Sequence, residues 1–228
     1  MIVQERDDSY VLIKQHEHGL ISGEFARRWA ERPRPMEPTL YAIANHDIGW
    51  QALDESVGWN EETGKPYSFT DYPIKPRLQA YEEGLNFLEA QSPYAACLCS
   101  MHYTALVGDS EPEARFRESE AGRQRKIKDA MTGEELGNLE HNLRLLRLCD
   151  DMSLFVCLNE PGRNDHPWYR NGFKFEGAKF EPVWEDRRTL RLDPNPFLEP
   201  FEFAIPYTLV GKDGRTVASY RFGLRVTC

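Results

Sequence analysis

Apolar and polar positions follow two different periods along this chain. Up to about Leu158, apolar residues recur at the three- and four-residue spacing of amphipathic helices. Beyond about Pro161 the period shortens to two, which indicates strands. The predicted helices cover about Gln15–Ala30, Tyr94–Val107, Arg115–Lys128 and Glu134–Leu158, and the predicted strands cover Phe173–Val183, Thr189–Leu192, Phe201–Val210 and Thr216–Val226.

This pattern predicts a mainly α protein with an appended C-terminal antiparallel β-sheet, α+β overall. Residues 1–160 form the helical core, with a short N-terminal strand pair at Ile2–Gln4 and Tyr10–Lys14. Residues 161–228 form a β extension packed on that core, and Lys212-Asp213-Gly214 marks a hairpin turn within it. The extension carries no ionisable cluster that suggests chemistry, so we expect it to be a structural cover, a dimer surface or a wall over the metal site.

Polar side chains interrupt the apolar faces of these helices. The helical register places His18 in line with Ser22, Phe25 and Trp29, which is the apolar side of its segment. Two further sites behave similarly: Asp150 continues the line of Leu136, Leu139, Leu143 and Leu146, and His102 lies with Leu98, Ala105 and Leu106. The doublet His46-Asp47 adds a fourth segment. Inward imidazoles and carboxylates need partners, and a shared metal ion is the simplest common explanation.

In this order the residues resemble the HD-domain superfamily of metal-dependent phosphohydrolases. The resemblance covers residues 15–158 and implies an HD-like helical bundle in which His18, His46, Asp47 and Asp150 hold the metal. His102 is similar to the extra His of branches that hold two metals. The closer likeness is to an uncharacterised bacterial family known only as a domain of unknown function, which implies no substrate.

The segment after the doublet departs from one branch of that superfamily. His46-Asp47-Ile48-Gly49 is followed by Trp50, where cyclic-dinucleotide phosphodiesterases often have Lys, and no Gly-Tyr-Pro signature follows. This argues against a cyclic-dinucleotide substrate. The number of metal ions stays open: the site holds either one ion, or two ions of which the second has an incomplete ligand set.

A mixed nitrogen and oxygen donor set suits Mn, Fe, Ni, Co or Zn. We therefore expect a phosphohydrolase that acts on a small phosphorylated metabolite or nucleotide through a metal-activated water, with Asp47 and His102 as catalytic residues.

Two alternatives remain: a di-iron HD-type oxygenase, and a metal- or ligand-binding regulatory module without turnover. A zinc site of Cys97, Cys99 and His102 lacks a second Cys/His pair at a recognised spacing.

Three residues are candidates for substrate contact. Trp50 begins a segment rich in Gly, Pro and aromatic residues, and its indole either stacks on a flat substrate or closes the core. Arg123 and Lys126 share one face of a basic stretch that runs from Arg115 to Lys128. They either bind phosphate or form part of a solvated helix with internal ion pairs.

Composition narrows the partners. A formal net charge of −9, from 28 basic and 37 acidic residues, disfavours long nucleic acid as a partner, because such binding neutralises phosphates with cations. No apolar run reaches the roughly 18 residues of a membrane span, and the N-terminus lacks a signal-peptide pattern. The five cysteines are expected to be reduced thiols. We expect a cytoplasmic protein that does not contact a membrane. Formation of a homodimer stays open.

Overall fold

Six helices form one part of the structure, a computed structural model that describes residues 1–228. They are α1 (Gln15–Arg28), α2 (Met36–Asn45), α3 (Ile74–Gln91), α4 (Pro93–Leu106), α5 (Glu111–Asp129) and α6 (Gly133–Leu158). Local signals fix several of their starts. Ser110 and Thr132 form capping boxes with Glu113 and Glu135 at the beginnings of α5 and α6.

Nine strands form two sheets. They are β1 (Ile2–Glu5), β2 (Ser9–Ile13), β3 (Trp59–Asn60), β4 (Lys65–Pro66), β5 (Phe173–Phe175), β6 (Ala178–Asp186), β7 (Thr189–Asp193), β8 (Phe201–Gly211) and β9 (Thr216–Thr227). β3 and β4 pair only with each other. The other seven form one sheet in the order β1-β2-β8-β9-β7-β6-β5.

The predicted fold class is therefore wrong. The sheet is not a C-terminal appendage on a mainly α bundle, because β1 and β2 extend it through the pairing of β2 with β8. It is not purely antiparallel either, since β7 and β9 run parallel. Residue periodicity indicates that a strand exists but does not identify its partner, so it does not place the N-terminal pair in the same sheet as the C-terminal strands.

Helix α1 connects the sheet to the other helices. It packs on α2 and α6 on one side and on β8 on the other. Toward the sheet, the Phe25 ring lies 5.7 Å from that of Phe201 and 5.4 Å from that of Phe203. One core of 47 buried residues includes side chains from both helices and sheet. The apolar face of α1 thus holds His18 at a fixed place within a shared core.

None of the helices combines the length and the apolar character needed to cross a bilayer. All five cysteines are free thiols, as the sequence predicts, and all but Cys228 are buried.

Candidate metal centre

Four helices bring five imidazole and carboxylate side chains together inside the protein. The five, called the cluster below, are His18 on α1, His46 and Asp47 directly after α2, His102 on α4 and Asp150 on α6. They form two overlapping groups: His18, His46 and Asp47 in one, and His46, His102 and Asp150 in the other. Within each group the candidate donor atoms lie within 4.8 Å of one another. All the residues predicted as metal ligands, and His102, thus occupy one place.

The approach of α1 to α2 depends on a glycine. A Cβ atom on Gly23 of α1 would lie 2.6 Å from the Cβ of Ala44 on α2, so only glycine permits this spacing. The close contact sets the imidazole rings of His18 and His46 edge to face, with centroids 5.1 Å apart.

His46 carries the clearest sign of a ligand role. Its Nδ1 donates a hydrogen bond to the backbone carbonyl of Ile43 at 2.8 Å, which leaves Nε2 pointing inward. This Nε2 is buried and has no hydrogen-bond partner. It lies 3.4 Å from Asp150 Oδ1 and 3.8 Å from Asp47 Oδ2. A backbone bond to one ring nitrogen is the usual way in which proteins orient the other toward a metal.

His18 is held at both ring nitrogens. Its Nδ1 lies 2.7 Å from Ser153 Oγ, and its Nε2 lies 2.9 Å from Asp47 Oδ2. Ser153 is itself 2.8 Å from Ser22 Oγ and donates to the carbonyl of Asp150 at 2.9 Å. The two serines therefore fix the ring of His18 while its Nε2 faces the cluster.

Asp47 is oriented from two sides. Its Oδ2 accepts a hydrogen bond from Gln15 Nε2 at 3.0 Å, and its Oδ1 accepts one from the Tyr103 hydroxyl at 3.3 Å. The single proton of this hydroxyl is shared with the backbone carbonyl of His46, which is the other acceptor within reach. The doublet is thus held between Gln15 at the start of α1 and Tyr103 in the last turn of α4.

Asp150 links His102 to the rest of the cluster. Its Oδ2 lies 3.5 Å from His102 Nε2, while its Oδ1 faces His46. Its side chain is 14% exposed, the largest exposed fraction among the five, so the cluster reaches solvent at this residue. The Nδ1 of His102 is buried and unpaired.

Burial and mutual charge set the protonation of the cluster. Burial lowers the pKa of His46, but the carboxylates of Asp47 and Asp150 outweigh it and raise that pKa to about 9. Burial raises the pKa values of Asp47 and Asp150, yet the facing histidines bring both below the ordinary value. For His102 burial dominates and lowers the pKa to about 4, so this imidazole is neutral at pH 7.

The donor set fits a divalent transition metal. Three imidazoles and two carboxylates on rigid helices match the mixed nitrogen and oxygen sphere of Mn, Fe, Co, Ni or Zn. The buried Nε2 of His46 has no hydrogen-bond partner and faces the carboxylates of Asp47 and Asp150, a position suited to sharing an ion with them. No cysteine belongs to either group, so the alternative of a zinc site with Cys97 and Cys99 has no support from the geometry.

The three residues suggested for substrate contact do not join the cluster. Trp50 is 1% exposed and packs against Tyr72 and Tyr81, so its indole closes the core. Arg123 is bound to three neighbours on α3 and α5, namely Glu89, Glu120 and Asn86. Lys126 is 80% exposed and lies 3.5 Å from Glu89. The ion-paired helix is the alternative that matches these contacts.

Sequence reasoning missed the residues that orient the ligands. Ser153 lies three positions after Asp150, and Gln15 three positions before His18, so each shares a helix face with a ligand. That spacing is a usable signal. The carbonyl of Ile43 leaves no trace in the sequence, because any residue type supplies one.

Comparison with known proteins identifies a family but no activity. Residues 1–212 match the family model described as "Protein of unknown function (DUF3891)". No curated protein matches the chain. No solved structure matches it either.

Proposed function

The chain belongs to the DUF3891 family, and from the geometry of its cluster we propose that it is a metal-dependent phosphohydrolase acting on a small phosphorylated molecule. The observation that carries the proposal is the convergence of five donor side chains in two groups that share His46, whose buried Nε2 has no hydrogen-bond partner. The order His, His-Asp, Asp along the chain resembles that of HD-domain phosphohydrolases, and the reaction class rests on this resemblance.

The cluster residues have separable roles. His18, His46, Asp47 and Asp150 would hold the ion, which when bound supplies Lewis acidity to a phosphoryl oxygen and lowers the pKa of a water molecule. Ile43, Ser153 and Gln15 hold the ligand side chains in place before any ion arrives. His102 is neutral at pH 7, and its Nε2 lies 3.5 Å from Asp150 Oδ2, while its buried Nδ1 has no hydrogen-bond partner. Its proposed catalytic role is to exchange a hydrogen bond with a water or a substrate hydroxyl.

The number of ions is not decided by the ligand set. His46 can serve only one ion, because its Nδ1 is engaged with the backbone and only Nε2 is free. A carboxylate can bridge two ions, and Asp150 turns Oδ1 toward His46 and Oδ2 toward His102. The number of metal ions per chain therefore separates a mononuclear hydrolase from the di-iron oxygenase.

The first experiment measures metal in the full-length protein purified without chelator, together with an Asp47→Ala variant. We expect stoichiometric transition metal in the wild type and its loss in the variant, with hydrolysis of at least one member of a phosphoester panel. His166→Gln is the matched control, because His166 lies outside the cluster. Circular dichroism of each variant separates loss of metal from loss of fold, and His46→Gln repeats the test at a second ligand.

Three results would change the proposal. Absence of metal from the wild type, with no turnover after metal addition, overturns it. Two iron ions per chain favour the oxygenase. Stoichiometric metal without turnover of any phosphoester favours a binding module.

A further inference from the structure

A basic groove lies on the protein surface along α6, the helix that also carries Asp150 of the cluster. It is bounded by α6 on one side and by the hairpin of β5 and β6 on the other, has a volume of about 470 Å³, and is called the α6 groove below. Its charged lining residues are Arg144, Arg147, Asp151, Lys174, Glu176 and Lys179. The groove has four basic and two acidic side chains, so it is locally positive although the net charge of the chain is −9.

The hairpin presents two lysines at directly opposed positions. Lys174 and Lys179 are Cα partners in the antiparallel pair, while the partners Phe173 and Phe180 alternate with them and are buried. Like charges directly opposite each other destabilise a strand pair. Lys179 is balanced by Glu181 at 2.6 Å, whereas Lys174 forms no ion pair. An anion beside Lys174 would offset this repulsion.

Helix α6 contributes two arginines to the groove, one with an ion-pair partner and one without. The Nε of Arg144 donates to Glu176 at 2.8 Å, so these two charges cancel within the groove. Arg147 is exposed, lines the groove and has no ion-pair partner. It precedes Asp150 by three positions and Asp151 by four, which puts its side chain on the same face of the helix as both. Asp151 lowers the net positive charge of the groove without removing it.

We propose that the α6 groove binds a second, non-reacting phosphoryl group of the substrate, through Arg147 and Lys174. This inference rests on the proposed function, because the reacting phosphoryl group must sit at the buried cluster while the groove lies outside it. The substrate class is then a small molecule with two phosphoryl groups, a diphosphate or a bisphosphate. The groove volume falls within the roughly 300–1,000 Å³ usual for small-molecule sites. Guanidinium and ammonium groups are the standard donors to phosphate oxygens.

The test uses inorganic pyrophosphate as the probe, titrated into the full-length protein by calorimetry at constant ionic strength. We expect saturable binding that weakens roughly ten-fold in Arg147→Gln and in Lys174→Gln, the loss typical of one charged hydrogen-bonding group. Lys126→Gln is the matched control, since Lys126 is an exposed cation on α5 outside the groove. It should bind pyrophosphate as the wild type does.

Two further samples separate this inference from the proposed function. Asp47→Ala, which removes a cluster ligand, should keep the part of pyrophosphate binding that depends on Arg147 and Lys174. If that dependence is present while the wild type holds no metal, the hydrolase proposal fails, and the groove is an anion site but not a subsite for the substrate of that reaction. If metal and turnover are present but both groove variants bind pyrophosphate like the wild type, the groove inference fails alone. Equal binding of sulfate or chloride, or equal weakening in Lys126→Gln, also overturns it.

Discussion

At the scale of single residues, the cluster depends on groups that never touch the proposed ion. Ser153 fixes the ring of His18 through a 2.7 Å contact to Nδ1, as the carbonyl of Ile43 fixes His46. When His18 Nε2 acts as a ligand, its proton resides on Nδ1 and is donated to Ser153 Oγ. Ser153 therefore sets both the tautomer and the orientation of His18.

We expect Ser153→Ala to lower metal affinity by roughly ten- to a hundred-fold while the fold persists, because partners of this kind contribute about that much. A competition titration against a coloured chelator measures the change. Ser100→Ala is the control: Ser100 is also a buried serine with one side-chain partner, Gln124, and lies outside the cluster. Equal losses in the two variants would show a general packing effect and contradict the prediction.

The charge on His46 should make metal binding depend on pH. In the metal-free protein, burial lowers the pKa of His46, but the carboxylates of Asp47 and Asp150 outweigh burial and raise it to about 9. An imidazole that binds a metal ion must be neutral. Binding at pH 7 therefore releases a proton, and affinity rises with pH up to about 9. Without metal, the raised pKa stabilises the fold below the ordinary value of 6.5, and this contribution is lost as pH rises from 6.5 toward 9.

Calorimetry of metal binding at pH 7 in two buffers of different ionisation enthalpy detects that proton. We expect the apparent enthalpy to differ between the buffers in the wild type and in His166→Gln alike. The same apparent enthalpy in both buffers would mean that His46 is already neutral.

The ligand candidates could be found from sequence because each breaks an apolar stripe. His18 and Asp150 occupy positions at which their helices otherwise present Phe and Leu, and the structure puts both in the interior cluster. The substrate contacts of Trp50, Arg123 and Lys126 stay a prediction. Each of these side chains already has a partner within the fold, which residue type alone does not show.

At the scale of elements, the doublet is held by a backbone contact between Gly49 and α3. A Cβ on Gly49 would lie 2.0 Å from the carbonyl oxygen of Ala80, and a Cβ on Gly84 would lie 2.9 Å from the Cα of Gly49. These two glycines let α3 pack directly on the turn that follows His46 and Asp47. The glycine of the His46-Asp47-Ile48-Gly49 sequence is thus required by packing.

Gly49→Ala should destabilise the protein by about 3 kcal/mol, the upper range for overpacking, and lower its metal content, because α3 or the doublet must move. Chemical denaturation and metal analysis measure the two effects. Gly137→Ala on α6 is the control, since no atom lies within 4 Å of its added Cβ, and it should stabilise by roughly 0.5–1 kcal/mol. Unchanged stability in Gly49→Ala would refute the packing argument.

Helices were predictable where the spacing of apolar residues stayed regular over several turns. A strand was predicted wrongly where the backbone makes a local turn. The segments predicted around α1, α4 and α6 match the observed helices to within two residues at each end. The single strand predicted over Phe173–Val183 is two strands, β5 and β6, because Glu176 and Gly177 both adopt positive φ between them. Hydropathy does not register this turn, since apolar residues continue on both sides of it.

At the scale of the whole molecule, the sheet joins the two ends of the described chain. β9 lies between β8 and β7, so it connects the N-terminal side of the sheet (β1, β2, β8) to the side formed by β7, β6 and β5. This order could not be read from the sequence, because the parallel pairing of β7 with β9 joins strands that are not adjacent along the chain. Packing of α1 against β8 then ties the cluster helices to the same sheet.

The family match ends at residue 212, before β9 begins, yet the structure makes β9 central to the sheet. A chain that ends at residue 212 should therefore lose cooperative thermal unfolding, because it leaves β8 and β7 with unpaired edges and removes the buried side chains of Leu224 and Val226. Differential scanning calorimetry tests this, with a chain lacking only Cys228 as the control. A cooperative transition with retained metal in the shorter chain would show that residues 1–212 fold independently. If the shorter chain shows no cooperative transition while the control unfolds normally, β9 is part of the structure that holds the cluster.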